Sequence, residues 1–155
     1  MRIGFGYDVH ALVAGRPLLV GGVLVPFEKG SLGHSDGDVL IHAIMDALLG
    51  AAALGDIGRH FPDTEPMLKD ADSTVLLGQV MAMLVSKGFK VGNIDATVCL
   101  QEPKLSPYIK EMTTTMSSIM GIGEDQISIK ATTTEHMGFT GRGEGISAYA
   151  VALIH

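Results

Sequence analysis

The sequence predicts an α+β domain in which a mixed β-sheet packs on helices, and three observations predict it. Alternating, strand-like segments interleave with helical segments rich in Ala, Leu and Met. The last two strand-like segments follow one another with no helix between them, so the sheet is mixed rather than purely parallel. The 155 residues run on without a linker, a low-complexity tract or a repeat, which suits a single domain, 1–155, large enough to bury a core without disulfides.

Arg2 to Val13 alternates as a strand, and Leu18 to Val25 reads as two short strands folded at Gly21-Gly22 and ended by Pro26. Glu28 to Gly37 is a polar segment. Asp38 to about Leu54 is the clearest helix, stopped by Gly55. Asp56 to Ala71 holds Gly58, Pro62 and Pro66 among charged and imidazole side chains and reads as an irregular functional loop. Ser73 is expected to cap a second helix that runs to about Lys87 and closes at Gly88. Phe89 to Leu100 is strand-like, and Pro103 and Pro107 bracket a turn. Ser106-Pro107 opens a third helix to about Met120. Ile127 to Thr133 is a strand, Thr134 to Glu144 a Gly-rich loop, and Gly145 to Ile154 the final strand.

The charge balance, 11 Lys+Arg against 17 Asp+Glu for a net −6, argues against nucleic acid and against a polybasic membrane surface as partners. Hydrophobic residues make up 46% and charged ones 18%, against about 25% charged in typical domains, which excludes a disordered chain and leaves an apolar surplus that an oligomer interface would explain. The most apolar stretch, Val39 to Leu54, is broken by His42 and Asp46 and is shorter than the roughly 20 residues a bilayer requires. No secretory or transit leader pattern opens the sequence, so a cytoplasmic protein is expected. The single Cys99, between strand-like neighbours, fits a reducing compartment and reads as a buried structural thiol.

Two constellations can carry chemistry. Asp8-Val9-His10 places a carboxylate and an imidazole on one strand face, a pattern that suits a divalent metal, although such a triplet more often makes an exposed polar strand face. His42 lies in an otherwise apolar helix and needs a partner. Asp46, four residues on, is positioned to hold its second nitrogen, either as the outer support of a metal ligand or as the partner of a core histidine. If His42 joins Asp8 and His10, the N, N, O set with a fourth position open is that of a catalytic zinc-like site. His34 and Ser35 precede this helix and are free to meet a ligand, whereas Asp36 and Asp38 suit its N-terminus.

The second constellation is Lys130-Ala131-Thr132-Thr133-Thr134-Glu135, followed by Gly138-Phe139-Thr140-Gly141-Arg142. Hydroxyls at a strand end, glycine-opened backbone N–H groups and an arginine are parts for holding phosphate oxygens, and Glu135 offers a hard oxygen ligand for Mg²⁺ or Mn²⁺. A plain β-turn with edge threonines has the same composition. No Walker A loop, dinucleotide fingerprint, Gly-x-Ser-x-Gly or His-Glu-x-x-His is present.

Taken together, Asp8-Val9-His10, His34-Ser35-Asp36-Gly37-Asp38-Val39, His42-Ala43, Asp46 through Gly58, Phe61-Pro62-Asp63 and Lys130 through Arg142 resemble the 2-C-methyl-D-erythritol 2,4-cyclodiphosphate synthase family from first strand to last. The resemblance implies a ferredoxin-like/chorismate-mutase-like sandwich assembled as a homotrimer, with active sites at subunit interfaces. It also implies conversion of a cytidine diphosphate substrate, 4-diphosphocytidyl-2-C-methyl-D-erythritol 2-phosphate, to the cyclic diphosphate and CMP. Asp8, His10 and His42 match the family's Zn²⁺ ligands, and Glu135 the residue that holds Mg²⁺ or Mn²⁺ with substrate phosphates. His34 and Thr133 match residues that stabilise the transition state. Ser35, Asp56, Ile57 and Gly58 match substrate contacts, and Phe61, Pro62, Asp63, Thr64 and Glu65 the loop over the substrate. Leu100, Gln101, Glu102, Pro103, Lys104, Leu105 and Ser106, with Ala131, Thr132 and Thr134, match a cytidine and phosphate site contributed by a neighbouring subunit. Phe139 and Arg142 lie near it. Phe5, His60 and Glu102 depart from the family's commoner residues. Two other readings share these motifs: a catalytically idle metal- or nucleotide-binding trimer, and a metal-dependent phosphohydrolase.

Overall fold

In the computed structural model, residues 1–62, 64 and 70–155 are described, so Asp63 and Glu65 of the expected site lie outside the described residues. The strands are β1 (Arg2–Ala14), β2 (Leu18–Val20), β3 (Val23–Val25), β4 (Lys29–Leu32), β5 (Val91–Cys99), β6 (Ile127–Thr132) and β7 (Gly145–Ile154). The helices are α1 (Val39–Ala51), α2 (Ile57–His60), α3 (Ser73–Ser86), α4 (Ile109–Met120) and α5 (Gly138–Gly141). Five strands form one sheet in the order β4-β1-β7-β5-β6, antiparallel except for the parallel pair β5 and β6, while β2 and β3 form a separate hairpin. The mixed α+β expectation thus holds. The ferredoxin-like connection, β-α-β-β-α-β, does not: helices separate β1 from β5 and β5 from β6, and the two strands joined without a long helix are β6 and β7.

Small residues set how closely the first layer packs. Gly4 and Gly6 of β1 lie directly beneath α1, where a Cβ on Gly6 would stand 1.9 Å from the Ala43 carbonyl oxygen and one on Gly4 1.8 Å from that of Ala47. Ala148, Ala150 and Ala152 continue this flat floor on β7, and Leu40, Ile44, Leu48 and Leu49 of α1 fill the core above it. Helix and sheet therefore meet almost backbone to backbone, which brings His42, one turn into α1, over the next inward positions of β1, Asp8 and His10.

The hairpin turns at Gly21 and Gly22, both with positive φ, the conformation a two-residue turn of this hand demands. Its two N–H groups donate to Asp38, to Oδ1 at 2.9 Å and Oδ2 at 2.7 Å, and the Ile41 N–H donates to Oδ1 at 3.0 Å. One fully buried carboxylate thereby caps α1, worth about 1 kcal/mol, and pins the hairpin across its start.

Several elements differ from the sequence reading, including α4, which starts at Ile109 after a 3₁₀ turn at Ser106–Tyr108, and α5, a turn within the expected Gly-rich loop. The polar segment after Pro26 contains β4, an edge strand whose Gly30 allows contact with Pro17, since a Cβ there would stand 2.0 Å from the Pro17 carbonyl oxygen. α1 ends at Ala51, short of Gly55, because Ala53 takes the left-handed conformation at φ 57° and turns the chain there. α2 is a single turn within the segment expected to be irregular, capped by Asp56 through the Arg59 N–H at 3.0 Å. α3 is capped by Asp72, not Ser73: the Asp72 carboxylate accepts the Thr74 N–H at 2.8 Å.

Along β1 and β7 the other face of the sheet is apolar and bare, whereas β5 and β6 present the Asp95–Lys130 ion pair there. Ile3, Phe5, Tyr7 and Val9 of β1 stand beside Tyr149 and Val151 of β7, and Ile3 and Phe5 are 73% and 63% exposed. Cys99 shares this face and is half-buried rather than buried; burial raises its thiol, and a hydrogen bond with Ser147 opposes the rise. Among the described residues no helix is long and apolar enough to cross a membrane.

Candidate functional site

Three ligand atoms converge where β1 meets α1. Asp8 Oδ2 lies 2.9 Å from His10 Nε2 and 2.9 Å from His42 Nδ1, and the two ring nitrogens are 3.2 Å apart. These three residues form the group of His and carboxylate side chains that could hold a metal ion among the described residues. Donors bound to one tetrahedral zinc at about 2.0–2.1 Å lie roughly 3.3 Å from one another, so the donor set and its spacing fit. The His10 Nδ1 lies 3.1 Å from the Leu32 carbonyl oxygen, which can only accept, so Nδ1 carries a proton and Nε2 is turned to Asp8.

Burial alone would raise the Asp8 carboxyl, but hydrogen bonds from His10 and His42 and the charge of both rings outweigh it and hold Asp8 well below the usual carboxylate range. Burial alone would lower His42, but the hydrogen bond to Asp8, with the charge of Asp8, Asp38 and Asp36, raises it. Both shifts have one meaning: this point in the fold favours a positive charge, which a proton or a metal cation supplies.

The group stands at the floor of a cleft of about 390 Å³ lined by His34, Ser35, Met45, Ile57, Gly58, Phe61 and Leu76. The cleft thus gathers much of the expected substrate site. Asp56 serves as the cap of α2, and Pro62 and Thr64 are not among its lining. His34 Nε2 is buried without a hydrogen-bond partner, at a cost of about 1–3 kcal/mol unless a bound group completes it. Met45 and Leu76 escaped the sequence reading because nothing separates them from ordinary core residues. The expected link from Asp46 to His42 is absent: Asp46 Oδ1 accepts the Ile57 N–H at 2.8 Å and so ties α1 to α2. Ser35 and Ser73 face His42 Nε2 instead, at 3.1 and 2.9 Å.

A second, smaller hollow of about 130 Å³ is lined by Leu100, Gln101, Pro103, Lys104, Leu105, Ser106, Ala131, Thr132 and Thr133. The structure thus brings the two sequence-distant halves of the expected nucleotide site together. Glu102 lines a neighbouring groove with Arg142, and Arg142 is paired to Glu144 at 2.8 Å. Thr134 and Phe139 line a further hollow beside Tyr149. Glu135 turns on a positive φ of 52° and accepts the Thr133 hydroxyl at 2.9 Å. The structure does not join this region to the Asp8 cluster. Both lie at the same end of the sheet, but β1 and β6 are three strand spacings apart, about 14 Å.

A mixed sheet on helices, with a carboxylate and two imidazoles at the floor of an open cleft, defines a small α+β protein with a candidate catalytic metal centre. The YgbB family model matches residues 1–155, and the chain belongs to that family. It is 61% identical over 154 residues to the 2-C-methyl-D-erythritol 2,4-cyclodiphosphate synthase of Geobacter metallireducens, covering 99% of this chain and 98% of the relative. A solved synthase of that name, in its CDP-bound form, superposes with a TM-score of 0.91 at 39% identity, covering 99% of this chain and all of the other. The bifunctional IspDF of Campylobacter jejuni superposes at 0.95 and 42% identity, with 99% of this chain matching 42% of that longer one.

Proposed function

We propose that the protein converts 4-diphosphocytidyl-2-C-methyl-D-erythritol 2-phosphate to 2-C-methyl-D-erythritol 2,4-cyclodiphosphate and CMP, in non-mevalonate isoprenoid biosynthesis. The observation that carries this reading is the convergence of Asp8, His10 and His42 at the floor of a cleft in a fold shared with a CDP-bound synthase. The lone Cys99 keeps the cytoplasm as the expected compartment.

Asp8, His10 and His42 would hold Zn²⁺, and Glu135, with substrate phosphates, Mg²⁺ or Mn²⁺. Such cations polarise phosphoryl oxygens and neutralise charge when bound. The nucleophile is the substrate's own 2-phosphate, already anionic at neutral pH, so the protein needs no serine, cysteine or general base. An oxygen of that phosphate bonds to the β-phosphorus while the bond from the β-phosphorus to CMP breaks, and CMP carries away the electron pair. What remains for the chain is to fold the substrate so that these atoms lie in line, and to keep water out. Asp56, Ile57 and Gly58 hold the methylerythritol portion, and Phe61 borders it. His34 and Thr133 stabilise the transition state, the former through its unpartnered buried Nε2. Ser35 borders the phosphates. Leu100 to Ser106, with Ala131, Thr132 and Thr134, take the cytidine and its phosphates, and Phe139 and Arg142 stand beside them.

The working unit is a homotrimer, in the chorismate-mutase-like manner. Two observations support it: a contiguous apolar sheet face around Phe5 and Tyr149, of a kind monomers rarely expose, and the separation of the nucleotide hollow from the metal centre within one chain. A neighbouring subunit would bring the two together. Subunit mixing tests this. His42→Ala and Glu135→Gln chains are each expected to be inactive alone. Randomly mixed trimers place a sound metal half against a sound nucleotide half at about a quarter of the sites, so about a quarter of wild-type activity should return. Activity that stays at the level of the separate variants in proven mixed trimers would contradict the shared site.

A further inference from the structure

Nε2 of His42 faces two hydroxyls, and only one of them has its proton committed elsewhere. Ser73, fully buried at the start of α3, places Oγ 2.9 Å from His42 Nε2 and 2.5 Å from Asp36 Oδ1. The other oxygen of Asp36 accepts the Ser73 N–H at 2.8 Å, and Oδ1 also accepts the Asp38 N–H at 3.1 Å, so the carboxylate is held from three sides. Backbone pairing fixes the arrangement: Asp36 N–H donates to the Ala71 carbonyl and Asp70 N–H to that of His34. Asp72 caps α3, which leaves the Ser73 hydroxyl free of that task.

A carboxylate only accepts hydrogen bonds. The Ser73 proton therefore goes to Asp36, and its oxygen can only accept from His42. Nε2 must then carry a proton, and since the Asp8 carboxylate also only accepts, Nδ1 is the nitrogen whose proton a cation displaces. That is the nitrogen 2.9 Å from Asp8 Oδ2 and 3.2 Å from His10 Nε2. Ser35, whose Oγ is 3.1 Å from Nε2, cannot decide the tautomer, because its proton is not committed to any acceptor and its hydroxyl can turn either way. We propose that Ser73 and Asp36 are positioning residues that lock His42 with its proton on Nε2 and so make Nδ1 the ligating atom of the metal centre. The inference rests on the metal-centre reading above.

The test uses the full chain, stripped of metal and labelled with ¹⁵N-histidine, with His42→Gln to assign the signal. After Zn²⁺ is added back, long-range ¹H–¹⁵N correlation should show the proton on Nε2 and none on Nδ1. Zn²⁺ affinity, measured by competition with a chelator, should fall about 10–100-fold in Ser73→Ala and return toward wild type in Ser73→Thr, which restores the hydroxyl. Asp36→Asn preserves the shape but lets an amide N–H donate to Ser73, freeing the serine proton for Nε2. It should therefore move the imidazole proton to Nδ1 and weaken zinc even if Ser73→Ala fails to fold. A zinc-loaded wild-type ring without a proton on Nε2, or zinc affinity unchanged in both Ser73→Ala and Asp36→Asn, overturns the proposal. A wild type that binds no zinc overturns the metal-centre reading itself, and the His42 spectrum still judges the hydrogen-bond lock.

Discussion

His42→Ala should strip the protein of bound zinc and lower turnover roughly 10³-fold or more, while the domain stays folded. The imidazole is one of three donors within 3.2 Å of one another, and two oxygen or nitrogen ligands from a single strand do not make a closed set. The fold does not depend on it. His42 lies at the cleft edge of α1, and the core of Leu40, Ile44, Leu48 and Leu49 remains in place. Elemental analysis, circular dichroism and steady-state rates on one preparation check all three parts. Zinc retained at wild-type stoichiometry would remove His42 from the ligand set.

Gly6→Ala should cost about 3 kcal/mol or more and weaken metal binding without touching a ligand. The added Cβ would stand 1.9 Å from the Ala43 carbonyl oxygen and 2.7 Å from the Ala47 nitrogen, all backbone atoms, so α1 must move away from β1. His42 moves with α1, whereas Asp8 and His10 stay on the strand. Gly50→Ala is the control: it lies in the same helix, its nearest neighbour to a new Cβ is 4.0 Å away, and it should be neutral or stabilising by about 0.5–1 kcal/mol. Urea denaturation and chelator competition on both variants decide the matter. Equal stability in Gly6→Ala and wild type would show that the strand and helix do not need this contact.

The parts legible in the sequence were those governed by short-range rules. Alternation gave β1 and β7, the Ala/Leu/Ile/Met run gave α1, and Gly21-Gly22 gave the hairpin, because each is dictated by neighbouring residues. β4 was illegible: Lys29-Gly30-Ser31-Leu32 has neither alternation nor β-branched side chains, and only its pairing with β1 makes it a strand. The site divides in the same way. Asp8 and His10 announce themselves by their spacing of two, His42 by its place in an apolar helix and Thr132 to Glu135 as a phosphate-holding strand end, while the motifs shared with the synthase family supplied the nucleotide turn Leu100 to Ser106. The partner of His42 was misread because a helical spacing of four put Asp46 in reach, whereas α2 had claimed its carboxylate through Ile57. Ser73 looked like a cap because its position at a helix start is local information. Its contact with His42 depends on how α3 is drawn to the segment before α1, and no spacing in the sequence encodes that.

The surplus of apolar residues finds its place in Ile3, Phe5, Tyr7, Val9, Tyr149 and Val151, a sheet face left bare by a single chain. The negative net charge likewise ceases to conflict with a phosphate-rich substrate. Asp8 and Glu135 are proposed cation ligands, and bound cations reverse the local sign.

The most direct test of the central claim is phosphorus NMR of the wild-type protein incubated with 4-diphosphocytidyl-2-C-methyl-D-erythritol 2-phosphate, Zn²⁺ and Mg²⁺. The paired resonances of a cyclic diphosphate should grow in step with CMP. Linear hydrolysis products would mark a phosphohydrolase, unchanged substrate would mark an idle scaffold, and either result would contradict the account.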